Sequence, residues 1–195
     1  MIPMPRIRAA AADFRKSDDG SASIELLFMV PLLSLITFSL VTYFAAFRAQ
    51  THATQAATVM TDMVSRETAV ITPAYLEGME GLMKTLVQTD QNPDFRLTAF
   101  TYDASNSVYT VAWSKDNGAM GPLDDTAINE VSHRLPILKH GQRAILIETS
   151  VDYTPLLDIG LGTRVFENFN VAAPRFVPQL CYMLDESADP QTALC

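Results

Sequence analysis

Apolar positions along this chain follow three different rhythms. Between Leu26 and Phe47 there is no charged residue, and the apolar side chains fall on every helical face. That run of 22 residues would extend about 33 Å as a helix, against about 30 Å for a bilayer's hydrocarbon core. No second uncharged apolar segment reaches 18 residues, so the pattern predicts a single crossing. Past Phe47 the rhythm turns amphipathic: Ala49, Ala53, Ala56, Met60 and Met63 recur at three- and four-residue steps, with Gln50, Thr54, Thr58 and Asp62 on other faces. One helix over about 22–70 accommodates both stretches. Pro31 is its one breaker, and a proline inside a membrane helix commonly kinks it. The Ala/Met stripe suits packing on the chain's own domain and suits a subunit contact.

Thr72-Pro73 then reads as a helix start, Thr as N-cap and Pro in the first turn. Leu76, Met79, Met83 and Leu86 form its stripe, Gly78 and Gly81 weaken it, and Asn92-Pro93 ends it. Two alternating runs, 95–103 and 107–114, predict a β-hairpin with Tyr109, Val111 and Trp113 on one face. Asn117-Gly118 and Gly121-Pro122 mark a loop, and a short helix carrying Ile128, Val131 and Leu135 starts near Asp124 or Asp125. The clearest strand has Ile145, Ile147, Thr149, Val151 and Tyr153 alternating with Glu148, Ser150 and Asp152. A last strand is expected within 164–174.

This order predicts an α+β fold: a long N-terminal membrane-spanning helix, then a small, mostly antiparallel sheet with helices on one face. The chain divides into a leader (1–20), the membrane and amphipathic helix (21–70), an α+β domain (71–180) and a tail loop (181–195). What remains beyond the span is enough for one domain core and too little for two.

Charge gives the orientation. The first 20 residues hold Arg6, Arg8, Arg15 and Lys16, whereas 48–67 hold only Arg48 and Arg66, so the N-terminus stays cytoplasmic and the C-terminal domain is exported. An ordinary secretory signal is the competing reading; the run is longer than such cores, and no clean small-x-small site follows it. Net charge is −8; without the leader, 10 basic residues face 19 acidic ones, a net of −9. An acidic chain without a basic stripe repels phosphate backbones, which argues against nucleic-acid partners. Cys181 and Cys195 fall on the exported side, where disulfides persist. An intramolecular bridge closing the tail is favoured, with two free thiols or a bond to another chain as the alternatives.

Catalytic patterns are missing from the sequence. His52, His133 and His140 lack zinc-ligand spacing, Gly160-Leu-Gly162 lacks a third glycine, and Ser150 and Asp152 lie on an ordinary solvated strand face. Asp185, Glu186 and Asp189 make a solvated acidic loop in preference to a weak calcium site. The expectation is a non-enzyme with no metal, no cofactor and no small-molecule substrate.

One motif is specific. Gly20-Ser-Ala-Ser-Ile-Glu25 leads directly into Leu-Leu-Phe-Met-Val-Pro31-Leu-Leu, which places one carboxylate at the edge of the span. The stretch resembles the class 3 signal of type IV pilins and pseudopilins, and most of all the TadE-like proteins of tight-adherence (Tad, type IVb) pilus assembly. The resemblance covers roughly 13–68. It implies cleavage after Gly20 by a prepilin peptidase, leaving Ser21 first and Glu25 fifth; Ser21 stands where true pilins carry Phe. It further implies a pilin-like plan and a non-enzymatic minor pseudopilin, single-pass in the bacterial inner membrane with a periplasmic domain. Its partners would be the lipid bilayer, the peptidase, the inner-membrane assembly platform and other pseudopilins or the pilin. In an assembly, Glu25 of one subunit would neutralise the α-ammonium of Ser21 on a neighbour. The alternative is an uncleaved single-pass periplasmic binding or sensor domain.

Overall fold

The computed structural model describes residues 21–88, 92–118, 120–184, 189 and 192–195, the side chains of Ser21 and Ala22 excepted. The leader with Gly20, and Asp185 and Glu186 of the tail, lie outside the described residues. Two compact units divide between Phe44 and Ala45.

Helix α1 spans Ser21–Ser65. It contains no glycine and one proline, so few strong helix breakers interrupt it. It stops at Ser65 rather than near 70 because the Glu67 carboxylate accepts the amides of Thr68 (2.9 Å) and Ala69 (3.0 Å), drawing the chain away from the helical ladder. Helix α2 spans Pro73–Val87. Thr72 caps it by accepting the Tyr75 amide, and Gln88, at φ 59°, ends it in the left-handed region.

Strands β1 (Asp94–Asp103), β2 (Val108–Asp116), β3 (Arg143–Tyr153) and β4 (Arg164–Ala172) form one sheet in the order β2-β1-β3-β4. All three pairings are antiparallel. Between β2 and β3 lie the short helix α3 (Asp125–Glu130) and a 3₁₀ turn (Ser132–Arg134); the Asp124 carboxylate caps α3 by accepting the Ala127 amide at 2.7 Å. The fold is therefore α+β, a long apolar helix followed by a four-stranded antiparallel sheet with helices.

Alternate strand residues feed two cores. One joins Ala53, Ala56, Met60 and Val64 of α1, Met79 and Met83 of α2, and Phe95, Leu97, Ile145, Ile147 and Val151 of the sheet. The other joins Phe100, Tyr109, Ala144 and Leu146 with Leu123, Leu135 and Ile128 of α3. Helices on one face is thus correct for the two long helices and is corrected by α3, which covers the opposite face.

A second correction concerns the hairpin. Ala99 pairs with Trp113 while Phe100 pairs with Val111, so Ala112 is an extra residue in β2. Because side chains alternate, one inserted residue reverses the phase. Tyr109 and Val111 pack into the α3 core, and Trp113 into the other.

Candidate functional site

The residues singled out in the sequence sit in two places. On α1, the large apolar side chains from Ile24 to Phe47 are exposed, Leu27, Phe28 and Phe44 each by about 70%. The Ser34, Thr37, Ser39 and Thr42 hydroxyls each donate to the carbonyl four residues back, at 2.8–2.9 Å. A back-bonded hydroxyl is internally satisfied, so these four do not oppose immersion in lipid. Pro31 lies inside the continuous helix; lacking an N–H, it leaves the Leu27 carbonyl without that donor. The helix is long and apolar enough to cross a membrane, and none of its most apolar window is buried.

Glu25 is exposed on the second turn of α1. Among the described residues no donor or cation bonds its carboxylate. Ser21 opens the helix, its side chain outside the described residues.

The second place is the tail, where the structure brings Cys181 and Cys195 together as a disulfide with Cα atoms 4.4 Å apart. The bridge closes over a tail built into the domain. Tyr182 exchanges backbone hydrogen bonds with Leu194, both at 2.8 Å, while Ile71 donates to the Cys181 carbonyl and accepts from Met183, both at 2.9 Å. Trp113 Nε1 donates to the Leu180 carbonyl at 2.8 Å, and its ring meets the Tyr182 ring at 5.6 Å. Lys115 Nζ stands over that ring, 4.9 Å from its centre. Burial pushes the Tyr182 phenol above its ordinary pKa. Leu180 and Tyr182 are thus core residues, which the sequence reading missed; an aromatic beside the first tail cysteine was the available signal.

The remaining polar groups are structural. Arg96 forms an ion pair with Glu148 at 2.7 Å, both side chains nearly buried, and donates to the Met120 and Gly121 carbonyls, holding the loop after β2. Asp103 turns the hairpin by accepting the Ser105 amide and the Asn106 side chain, which hold its carboxyl below the usual range. His52 bonds Arg48 and His140 accepts the Ala104 amide. Tyr75 is pushed up to about 12 by burial and then by the charge of the nearby Glu67 carboxylate; among the described residues no group meets its hydroxyl with hydrogen-bonding geometry. A groove of about 530 Å³ between α1 and α2 is lined by His52, Gln55, Val59, Thr85, Leu86 and Gln88 among others. Among the described residues no three His, Cys, Asp or Glu side chains gather as metal ligands. No family model, curated protein or solved structure matches this chain.

Proposed function

We propose that this protein is a non-enzymatic minor pseudopilin of Tad-type (type IVb) pilus assembly. It is anchored in the inner membrane by the first half of α1, with its N-terminus cytoplasmic and its α+β domain periplasmic, and is processed after Gly20 by a prepilin peptidase. One observation carries the reading. A single helix begins at Ser21, presents Glu25 on its second turn, remains apolar on all sides through Phe47, and then enters the core of an antiparallel sheet domain at Ala53. That succession is the plan the resemblance implies. The Cys181–Cys195 bridge suits an oxidising compartment and so supports export.

Intact-mass and N-terminal analysis of protein extracted from membranes of cells with an active prepilin peptidase tests it. The expected product starts at Ser21, and Gly20→Leu restores Met1, because a side chain there obstructs the protease's approach to the backbone. A wild-type chain still beginning at Met1 refutes processing and leaves a single-pass tethered domain.

A further inference from the structure

The sheet has two outer edges and treats them differently. At the β2 edge, the Asn129 side chain accepts the Tyr109 amide (2.9 Å) and donates to the Tyr109 carbonyl (2.8 Å), while the Asp125 carboxylate accepts the Val111 amide (2.7 Å). Helix α3 thereby supplies, at Tyr109 and Val111, bonds a further strand would make, and covers that half of the edge. The β4 edge is long, nine residues, and pairs with β3 without a register shift. It contains no proline and no lysine, and among the described residues nothing bonds its outer backbone groups. Sheets ordinarily blunt such an edge, because its row of donors and acceptors is best satisfied by another extended chain. Beside Phe169–Ala172 runs a groove of about 420 Å³, walled on its far side by Thr58, Thr61, Asp62 and Ser65 of α1.

Side chains along the edge carry a charge pattern. Val165, Glu167, Phe169 and Val171 alternate onto one face of β4. The Arg134 guanidinium lies over the Phe169 ring, 4.1 Å from its centre. Arg134 and Glu167 are both exposed, and among the described residues neither has an ion-pair partner.

We infer that the β4 edge is a docking site for an extended segment of a partner polypeptide, which joins the sheet as an antiparallel fifth strand and sets an acidic side chain against Arg134 and a basic one against Glu167. Backbone bonds supply the affinity and alternate side chains the specificity. Since the residues opposite Phe169 and Glu167 are two apart, the segment reads acid-x-base from its N-terminus, with β-branched residues outside them to meet Val171 and Val165.

Hydrogen exchange on the full chain in detergent micelles, with a synthetic Val-Thr-Glu-Thr-Lys-Thr-Val peptide and its charge-swapped form Val-Thr-Lys-Thr-Glu-Thr-Val, tests this. The matched peptide is expected to slow exchange in 164–172, leave 108–116 unchanged, and bind about tenfold tighter than the swapped one, because two cross-strand pairs reverse together. Glu167→Lys, at an exposed position, moves the preference to a peptide with Glu at both sites. Equal binding of the two peptides, no protection, or protection away from β4 overturns the proposal. So does a β4 edge already protected in a concentration-dependent oligomer, which assigns it to a second copy.

Discussion

Reducing the Cys181–Cys195 bridge, or replacing both cysteines by serine, should lower stability by an amount the structure specifies. The closed loop runs from 181 to 195, a sequence separation of 14, and loop-closure entropy for such a ring is about 3 kcal/mol. Little enthalpic loss is expected, because the tail keeps its other anchors: the Tyr182–Leu194 bonds, the Ile71 bonds and the Trp113 Nε1 bond to Leu180. For a unit the size of Ala45–Cys195, that loss corresponds to about 6–12 °C in Tm. The assay is thermal and urea unfolding of the full chain in detergent with and without reductant. Trp113 is the sole tryptophan and lies against the tail, so its emission reports the tail while far-ultraviolet dichroism reports the sheet. Coincident transitions at a lower midpoint, with a urea slope equal to or slightly steeper than that of the oxidised protein because the unfolded chain is less constrained, indicate loss of the cross-link alone. An emission shift preceding the dichroism change means that the tail peels away first. Oxidised and reduced protein melting within about 2 °C of each other would refute the reasoning, since it would mean the loop is equally constrained without its bridge.

Two further outcomes follow from the sheet. Burial, then Asp152 and Asp116, push the Asp94 carboxyl above its ordinary pKa; a raised carboxylate pKa means the folded chain holds the proton more tightly, so the native state is favoured at low pH and loses that advantage as pH rises through the folded pKa. Asp94→Asn should therefore raise Tm near pH 7 and leave it unchanged near pH 3, and an equal effect at both pH values would contradict the assignment. Arg96→Met leaves the Glu148 carboxylate almost buried without its cation and should cost about 3–5 kcal/mol by urea titration, whereas Arg96→Met with Glu148→Leu should recover most of that. A single variant as stable as wild type would show that the pair contributes nothing.

Much of the architecture was readable because local and tertiary preferences agree. Thr72-Pro73 starts α2 where a cap and a proline at the first helical position favour it. The Ile145–Tyr153 alternation reads as a strand, and it is one with Ile145, Ile147 and Val151 in a single core. What could not be read depends on long-range partners. The Ala112 bulge exists because β2 must send Tyr109 towards α3 and Trp113 towards the tail, and no residue near 112 announces it. Second-face coverage was obscured because β1 mixes Arg96 and Thr98 with Phe100 on that face, and their partners Glu148 and Ser114 lie far along the chain. The β4 edge stayed invisible for the same reason: a strand's position in the sheet is set by pairing order, and the guanidinium over Phe169 comes from Arg134, before β3 begins.

Glu25 poses the sharpest remaining physical problem, and it yields a prediction. Between Ser21 and Phe47 it is the one charged side chain, on a helix whose Ser34, Thr37, Ser39 and Thr42 hydroxyls are already bonded to their own backbone. Intramembrane assembly driven by a polar group therefore has one strong candidate, because a carboxylate drawn into low dielectric is costly unless a cation or donor meets it. On the proposed function, if the partner is the α-ammonium that processing would create at Ser21, the interaction needs negative charge, and both Glu25→Gln and Glu25→Val should insert normally yet lose pilus assembly. If the partner is only a hydrogen-bond donor, Glu25→Gln retains an acceptor of the same size and should assemble nearly as well as wild type. Membrane fractionation with piliation scored in both variants separates these cases, and full piliation in Glu25→Val would remove any role for this carboxylate in registering one helix against another.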